Sequence, residues 1–215
     1  MTPSLAFAAL LSIAAPTLVP SVCSPSEAGP VDPEAYRELW ESGVTWQEFL
    51  ADAESRRDGW LENWASSEGM DSAGVERARA VGGTWYVLAV AVDGCSDSVS
   101  TIPYLARLAE RVDGLELRIV DSDAGRWVME ENPTPDGRAA TPTVVLLDPD
   151  FEKRGCFIER PSALQSILLE NQDELDQRQL YHFKMGWYHG NRGGTTVREI
   201  VRILEAAASD DAICG

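Results

Sequence analysis

Residues Thr84-Trp-Tyr-Val-Leu-Ala-Val-Ala-Val92 are a nearly unbroken apolar run, closed by Asp93-Gly94 and followed at once by Cys95 and a helical pattern. Runs of this kind read as interior strands. After Cys95 the apolar residues Val99, Ile102, Leu105, Ala106, Leu108, Ala109 and Val112 recur at helical spacing. A buried strand running into a helix restricts the chain to α/β architectures, and it places Cys95 at the strand-to-helix turn. There the free N–H groups and the positive end of the helix dipole favour a thiolate, the form that attacks disulfides and peroxides.

Leu115–Val120 reads as a further strand, and the run after Thr141-Pro142 with the segment holding Cys156 as the two strands of a hairpin. Before the first strand, Pro33–Trp40 reads as a short helix. A second begins at the Thr45/Glu48 capping box and carries Trp46, Phe49, Leu50, Ala53, Trp60, Leu61 and Trp64 as a continuous apolar stripe over one face of the sheet. A third runs from Asp71 or Ser72 to Ala80, and Gly82-Gly83 turns the chain into the Trp85 strand. Late in the chain, a long helix is expected from Ser162 to about Lys184, then an aromatic turn at Trp187-Tyr188 and a flexible connector over Gly190 to Gly194. A last helix is expected to be capped by Thr196 and Glu199. Asp121-Ser-Asp123 reads as a cap, with Asp123 starting a helix over Ala124 to Glu131, rather than as a metal site, since no His or Cys stands nearby.

The segments Cys95-Ser-Asp-Ser98, Ile102-Pro-Tyr-Leu-Ala-Arg-Leu-Ala-Glu110, Leu115 to Val120, Ala140-Thr-Pro-Thr-Val-Val-Leu-Leu-Asp148, Gly155-Cys-Phe-Ile-Glu-Arg-Pro161 and Thr195 to Ile200 together resemble the thioredoxin superfamily. The resemblance is strongest to a bacterial thioredoxin-like subgroup with a Cys-x-Asp motif in place of Cys-x-x-Cys, and it spans roughly residues 34 to 207. It implies a thioredoxin fold, a central mixed β-sheet flanked by helices, here with a helical N-terminal extension. It further implies that Cys95, Asp97 and Ser98 are the catalytic positions and that Thr141 and Pro142, joined by a cis bond, face the cysteine and bind an extended substrate.

Two departures narrow the chemistry. Ser98 stands where a dithiol thioredoxin has its second cysteine, which excludes fast dithiol exchange at this turn. Gly94 replaces the family's tryptophan, which removes an aromatic wall beside the thiol. Asp97 offers a helix cap, while its charge, two residues from the sulfur, opposes thiolate formation. Two functions fit: monothiol disulfide exchange through Cys95, resolved by an outside thiol or by Cys156 or Cys214, or a non-catalytic thioredoxin-fold binding module using the groove near Pro142. No cofactor is implied. The partners expected are protein or low-molecular-weight thiols and disulfides.

With 35 acidic and 18 basic residues the net charge is −17, which disfavours nucleic acid and anionic membrane surfaces as partners. Only Lys153 and Lys184 are lysines. His182 and His189, the two histidines, read as surface or packing residues. Leu5 to Val19 has the shape of a secretory h-region, so residues 1–28 read as an export segment ending near Ser26-Glu-Ala28. Cys23 offers a lipid anchor instead, although Val19-Pro-Ser-Val22 is a poor lipobox. Residues 29–83 read as a helical extension, 84–208 as the thioredoxin-like domain, and 209–215 as a loose tail holding Cys214. The mature chain is then expected to be exported, with no integral membrane segment. Its three cysteines leave an odd thiol, and Cys156 reads as an ordinary buried core residue.

Overall fold

The computed structural model describes residues 32–209 and 213–214; the expected export segment, Cys23 and its lipid anchor lie outside them. Four strands form the core of one mixed sheet. β1 (Trp85–Val90) and β2 (Leu115–Val120) run parallel, β3 (Thr143–Leu147) runs antiparallel to β1, and β4 (Lys153–Ile158) antiparallel to β3. A short fifth strand, β5 (Ile213–Cys214), adds to the β4 edge, giving the order β2-β1-β3-β4-β5. Ahead of the sheet come α1 (Pro33–Ser42), α2 (Trp46–Asp52), α3 (Arg57–Ser66) and α4 (Ser72–Val81). α5 (Ser96–Arg111) crosses from β1 to β2, α6 (Arg126–Glu131) follows β2, and α7 (Ser162–Glu170), α8 (Gln177–Asn191) and α9 (Gly194–Ala208) follow β4.

The strand period of two sorts side chains between two cores. Val87 and Ala89 of β1 and Val144 and Leu146 of β3 pack toward α5 and α9 with Leu105, Leu108, Val201 and Leu204. Leu88, Val90, Val145 and Leu147 point the other way, toward Tyr36 and Trp40 of α1 and Val128 and Met129 of α6. Both faces of β1 and β3 are covered, so these strands read as unbroken apolar runs rather than as alternations.

The aromatic stripe over residues 46–64 does cover the sheet side, since Trp46 and Trp60 are buried in the first core. It is two helices rather than one. Asp93, in the turn after β1, accepts hydrogen bonds from the Glu54 and Ser55 backbone N–H groups at 3.0 and 2.8 Å, and Arg56 takes a left-handed backbone with φ 51°. Leu61, expected within the stripe, is instead 44% exposed.

The long helix expected from Ser162 is likewise divided, into α7 and α8. Asp176 and Gln179 form a reciprocal capping box that restarts the chain as a helix. Trp187, Tyr188 and Gly190 lie inside α8, where a turn and a connector had been expected. α9 starts one turn early, behind Gly193 at φ 72°. A Cβ at Gly193 would lie 2.3 Å from the Tyr104 ring, so both backbone angle and space call for glycine. Thr196 and Glu199 therefore lie within α9 and do not cap it; Glu199 instead accepts from the Ser162 N–H at 3.1 Å, bracing the start of α7.

Two smaller expectations are also corrected. Asp121, not Asp123, holds the turn before α6, accepting from the N–H groups of Asp123 and Ala124 at 2.7 and 2.9 Å. The tail is not loose at its cysteine: Cys214 pairs in register beside Cys156 and is joined to it by a disulfide, with Cα atoms 4.5 Å apart. Cys156 is thus a cross-linked residue rather than an ordinary core thiol. His182 and His189 are exposed on α8.

Candidate functional site

Cys95 is the residue that caps α5. Its N–H donates to the Val92 carbonyl, closing the turn, and its carbonyl accepts from the Val99 N–H, opening the helix, both at 3.0 Å. Its side chain takes no part in capping. The thiol donates instead to the Thr141 carbonyl at 3.1 Å, and the Thr141–Pro142 peptide is cis. Cys95 is half-buried and is the free cysteine among the described residues.

The helical extension braces this turn from behind. Arg56 donates from Nε to the Gly94 carbonyl at 2.6 Å, and the Trp60 indole N–H donates to the Asp93 carbonyl at 3.0 Å. The Asp93 carboxyl is held below the usual range, chiefly by the Ser55 backbone N–H. The turn is therefore anchored by residues about 35 positions earlier, across the α2–α3 break.

The Pro142 side is braced as well. The Pro142 carbonyl accepts from the Glu159 N–H at 2.7 Å, and the Thr143 hydroxyl donates to the Ala140 carbonyl at 2.7 Å. Arg138, in the loop leading to Thr141, is paired with Asp136 at 2.6 Å and with Glu159 at 3.2 Å. Hydrogen bonding from Arg138 lowers the Asp136 carboxyl to about 2.

Asp97 and Ser98 are both buried in the first turn of α5. The expected cap at Asp97 is not made; its carboxylate points into a charged cluster. Lys184 Nζ lies 2.5 Å from Oδ2, the Tyr188 hydroxyl donates to Oδ1 at 2.8 Å, and Arg160 Nε stands 3.3 Å from Oδ1. Lys184 also donates to the Ser96 hydroxyl at 3.0 Å. Arg160 is paired in turn with Glu159, a residue at φ 62° in a tight turn closed by the Arg160 N–H on the Ile158 carbonyl. Burial, then the Asp97 charge, push the Tyr188 hydroxyl well above its ordinary value, so it is a neutral donor. The Ser98 hydroxyl, by contrast, has no hydrogen-bond partner among the described residues.

The structure brings all five expected residues, Cys95, Asp97, Ser98, Thr141 and Pro142, to one end of the sheet. Sequence reasoning missed Lys184, Tyr188 and Arg160. A local signal for the first two exists: the Asp176/Gln179 capping box starts a helix in which positions 184 and 188 are one turn apart on one face. The first turn of α5 also floors an open cleft of about 550 Å³ between α3 and α8, rimmed by Arg56, Asp58, Glu62 and His189.

Cys156 and Cys214 are bonded to each other, so neither is a thiol waiting to resolve Cys95. Nor is the pair adjacent: Cys156 stands opposite Val145, four positions along the strand from Thr141, about 13 Å at strand rise. Among the described residues no group of three or more His, Cys, Asp or Glu is placed to hold a metal ion, and no helix is long and apolar enough to cross a membrane.

A crystal structure of a Pseudomonas aeruginosa protein of unknown function is similar to this chain, with a TM-score of 0.65, 20% identity, and coverage of 80% of this chain and 98% of the other. A crystal structure of an HIV epitope-scaffold is similar with a TM-score of 0.63, again at 20% identity over 80% and 98% of the two chains. At this identity both show the fold alone. No curated protein matches the chain. A family model described as thioredoxin matches residues 43–176, a span that includes Cys95, Thr141, Pro142 and Arg160 and ends before α8 reaches Lys184. On that match, over more than half its length, the chain belongs to the thioredoxin family.

Proposed function

We propose that the protein is a monothiol disulfide-exchange protein acting through Cys95. The observation that carries this reading is the half-buried free thiol at the head of α5, with its sulfur 3.1 Å from the Thr141 carbonyl of the cis peptide. Deprotonated Cys95 sulfur attacks one sulfur of a protein or low-molecular-weight disulfide. The Cys95–substrate disulfide forms as the substrate's own bond breaks, and the second substrate sulfur leaves as a thiolate that takes up a proton. A second, outside thiol then attacks the mixed disulfide, its sulfur bonds to the substrate sulfur, and Cys95 is released as a thiolate. For each turn one outside thiol is consumed into a mixed disulfide with the substrate sulfur, the second substrate sulfur is released as a thiol, and Cys95 returns unchanged. The outside thiol is required because position 98 is serine and Cys156 is already bonded to Cys214.

A second reading has its own support. Ser98 is fully buried with an unpartnered hydroxyl, so the position that resolves exchange in a dithiol site is filled by an inert group. A non-catalytic binding module using the groove beside Pro142 fits that arrangement. The Cys156–Cys214 bond supports an oxidising compartment, and with it the reading in which residues 1–28 serve export.

Insulin reduction with an external thiol donor separates the two functions. Cys95→Ser is expected to abolish exchange. Ser98→Cys is expected to raise it by about tenfold, because a thiol one helical turn away resolves the mixed disulfide intramolecularly. An inert wild type together with an inert, folded Ser98→Cys variant overturns the exchange reading in favour of the binding module.

A further inference from the structure

α8 lies between α7 and α9 in the chain yet buries one residue, Tyr188. Its grip on α5 is polar. Lys184 and Tyr188, one turn apart, both end on Asp97, at 2.5 and 2.8 Å, and Lys184 reaches the neighbouring Ser96 hydroxyl. The Lys184 side chain is 12% exposed and that of Asp97 6%, so this pair is weakly screened by solvent.

We propose that Lys184 is a positioning residue for the Cys95 chemistry: its ammonium clamps the first turn of α5 through Ser96 and Asp97 and cancels the carboxylate's charge two residues from the thiol. The role rests on the reading of Cys95 as the exchanging thiol. The groups that face Asp97 are Lys184 and Tyr188 from α8 and Arg160 from the link between β4 and α7, where Glu159 pairs with Arg160 and Arg138. Tyr188 is neutral, so the two carboxylates of Asp97 and Glu159 face Lys184 and Arg160, with Arg138 already shared with Asp136. Removing Lys184 leaves a buried carboxylate two residues from Cys95 without its nearest cation. That charge opposes the build-up of negative charge on the sulfur, which every reaction of Cys95 as a nucleophile requires.

The test is the rate of iodoacetamide alkylation of Cys95 against pH in the full chain, read by mass spectrometry of the Cys95 peptide. Lys184→Met is expected to react about fivefold more slowly at about pH 7, with the deficit narrowing as pH rises. Lys184→Arg is expected to restore the rate. So is Asp97→Asn combined with Lys184→Met, since that pair removes both charges. If Lys184→Met does not fold, the same charge step is read between Asp97→Asn alone and the double variant, with the single variant expected to react about fivefold faster. A wild-type rate in Lys184→Met, a deficit equal at every pH, or a double variant as slow as Lys184→Met overturns the proposal. Exchange is read separately. Loss of insulin reduction with this alkylation pattern intact refutes the exchange reading, whereas a flat pattern with exchange retained refutes the role of Lys184.

Discussion

Tyr188→Phe removes one hydroxyl from the join between α8 and α5 and leaves the ring in place. The hydroxyl donates to Asp97 at 2.8 Å in a site where Tyr188 is 6% exposed, while its ring packs with Leu164 and Leu168. A hydrogen bond to a buried charged acceptor contributes roughly 1.5–3 kcal/mol, and phenylalanine keeps the ring's packing, so the expected loss is about 2 kcal/mol. For a chain of this size that corresponds to a fall in Tm of roughly 4–8 °C. The pH dependence has a definite sign. Burial and the Asp97 charge raise the Tyr188 hydroxyl in the folded state, so its contribution is fully present below the unfolded value of about 10 and is lost as pH rises toward the folded value. Urea unfolding at about pH 7 and above about pH 10 checks both. The difference between wild type and variant is expected to hold at neutral pH and to shrink in alkali. A loss under about 0.5 kcal/mol at neutral pH, or a difference that grows in alkali, refutes the assignment of Tyr188 as a buried donor to Asp97.

Reduction of the Cys156–Cys214 bond, which spans 58 residues, is expected to destabilise the chain by up to about 4 kcal/mol through the freedom regained by the unfolded state, and Cys214→Ser should reproduce the loss. Urea midpoints with and without dithiothreitol measure it, and an unchanged midpoint contradicts the cross-link. Glu199 is raised above the usual carboxylate range, mainly by burial, against the lowering effect of the Ser162 backbone N–H. Its contribution is therefore present below the unfolded value of about 4.3 and is lost as pH rises through the higher folded value. Glu199→Gln is accordingly expected to match or exceed the wild-type Tm at neutral pH and to fall behind as pH drops toward about 4. A clear loss at neutral pH would mean that the carboxylate form is required by Ser162.

Legibility in the sequence followed the range of the interaction. β2 spans Leu115–Val120 as read, β1 spans Trp85–Val90 within the apolar run Thr84–Val92, and the Thr45/Glu48 capping box opens α2, because each of these depends on neighbours within a few positions. The site's skeleton was legible for the same reason. A strand ending in Asp-Gly sets Cys95 at the head of α5, and the context of Thr141-Pro142 marks the partner loop, by resemblance to the thioredoxin family.

Several departures involve partners far away in the chain, while the Asp176/Gln179 capping box and the Asp121 turn were local signals passed over. The apolar stripe over residues 46–64 continues through the α2–α3 link without a break in its period, and it is Asp93, 38 residues beyond Ser55, that captures the Glu54 and Ser55 N–H groups and bends the chain. Periodicity reports which face is buried, not which side chain across the fold claims a backbone donor. Lys184 and Tyr188 were legible as neighbours on one face of a helix opened by the Asp176/Gln179 box, but not as residues of the site. Their meeting on Asp97, 87 and 91 positions earlier, depends on how α8 lies across α5. Cys156 and Cys214 were likewise countable, but their pairing required β5 to come alongside β4. The sequence by itself determined the four core strands and the place of the thiol, because propensity and turn chemistry are local, whereas the division of two helices and the fifth strand were not read from it. Tertiary structure alone decided the charge around that thiol, since a buried carboxylate takes its partners from whatever elements the fold packs against it.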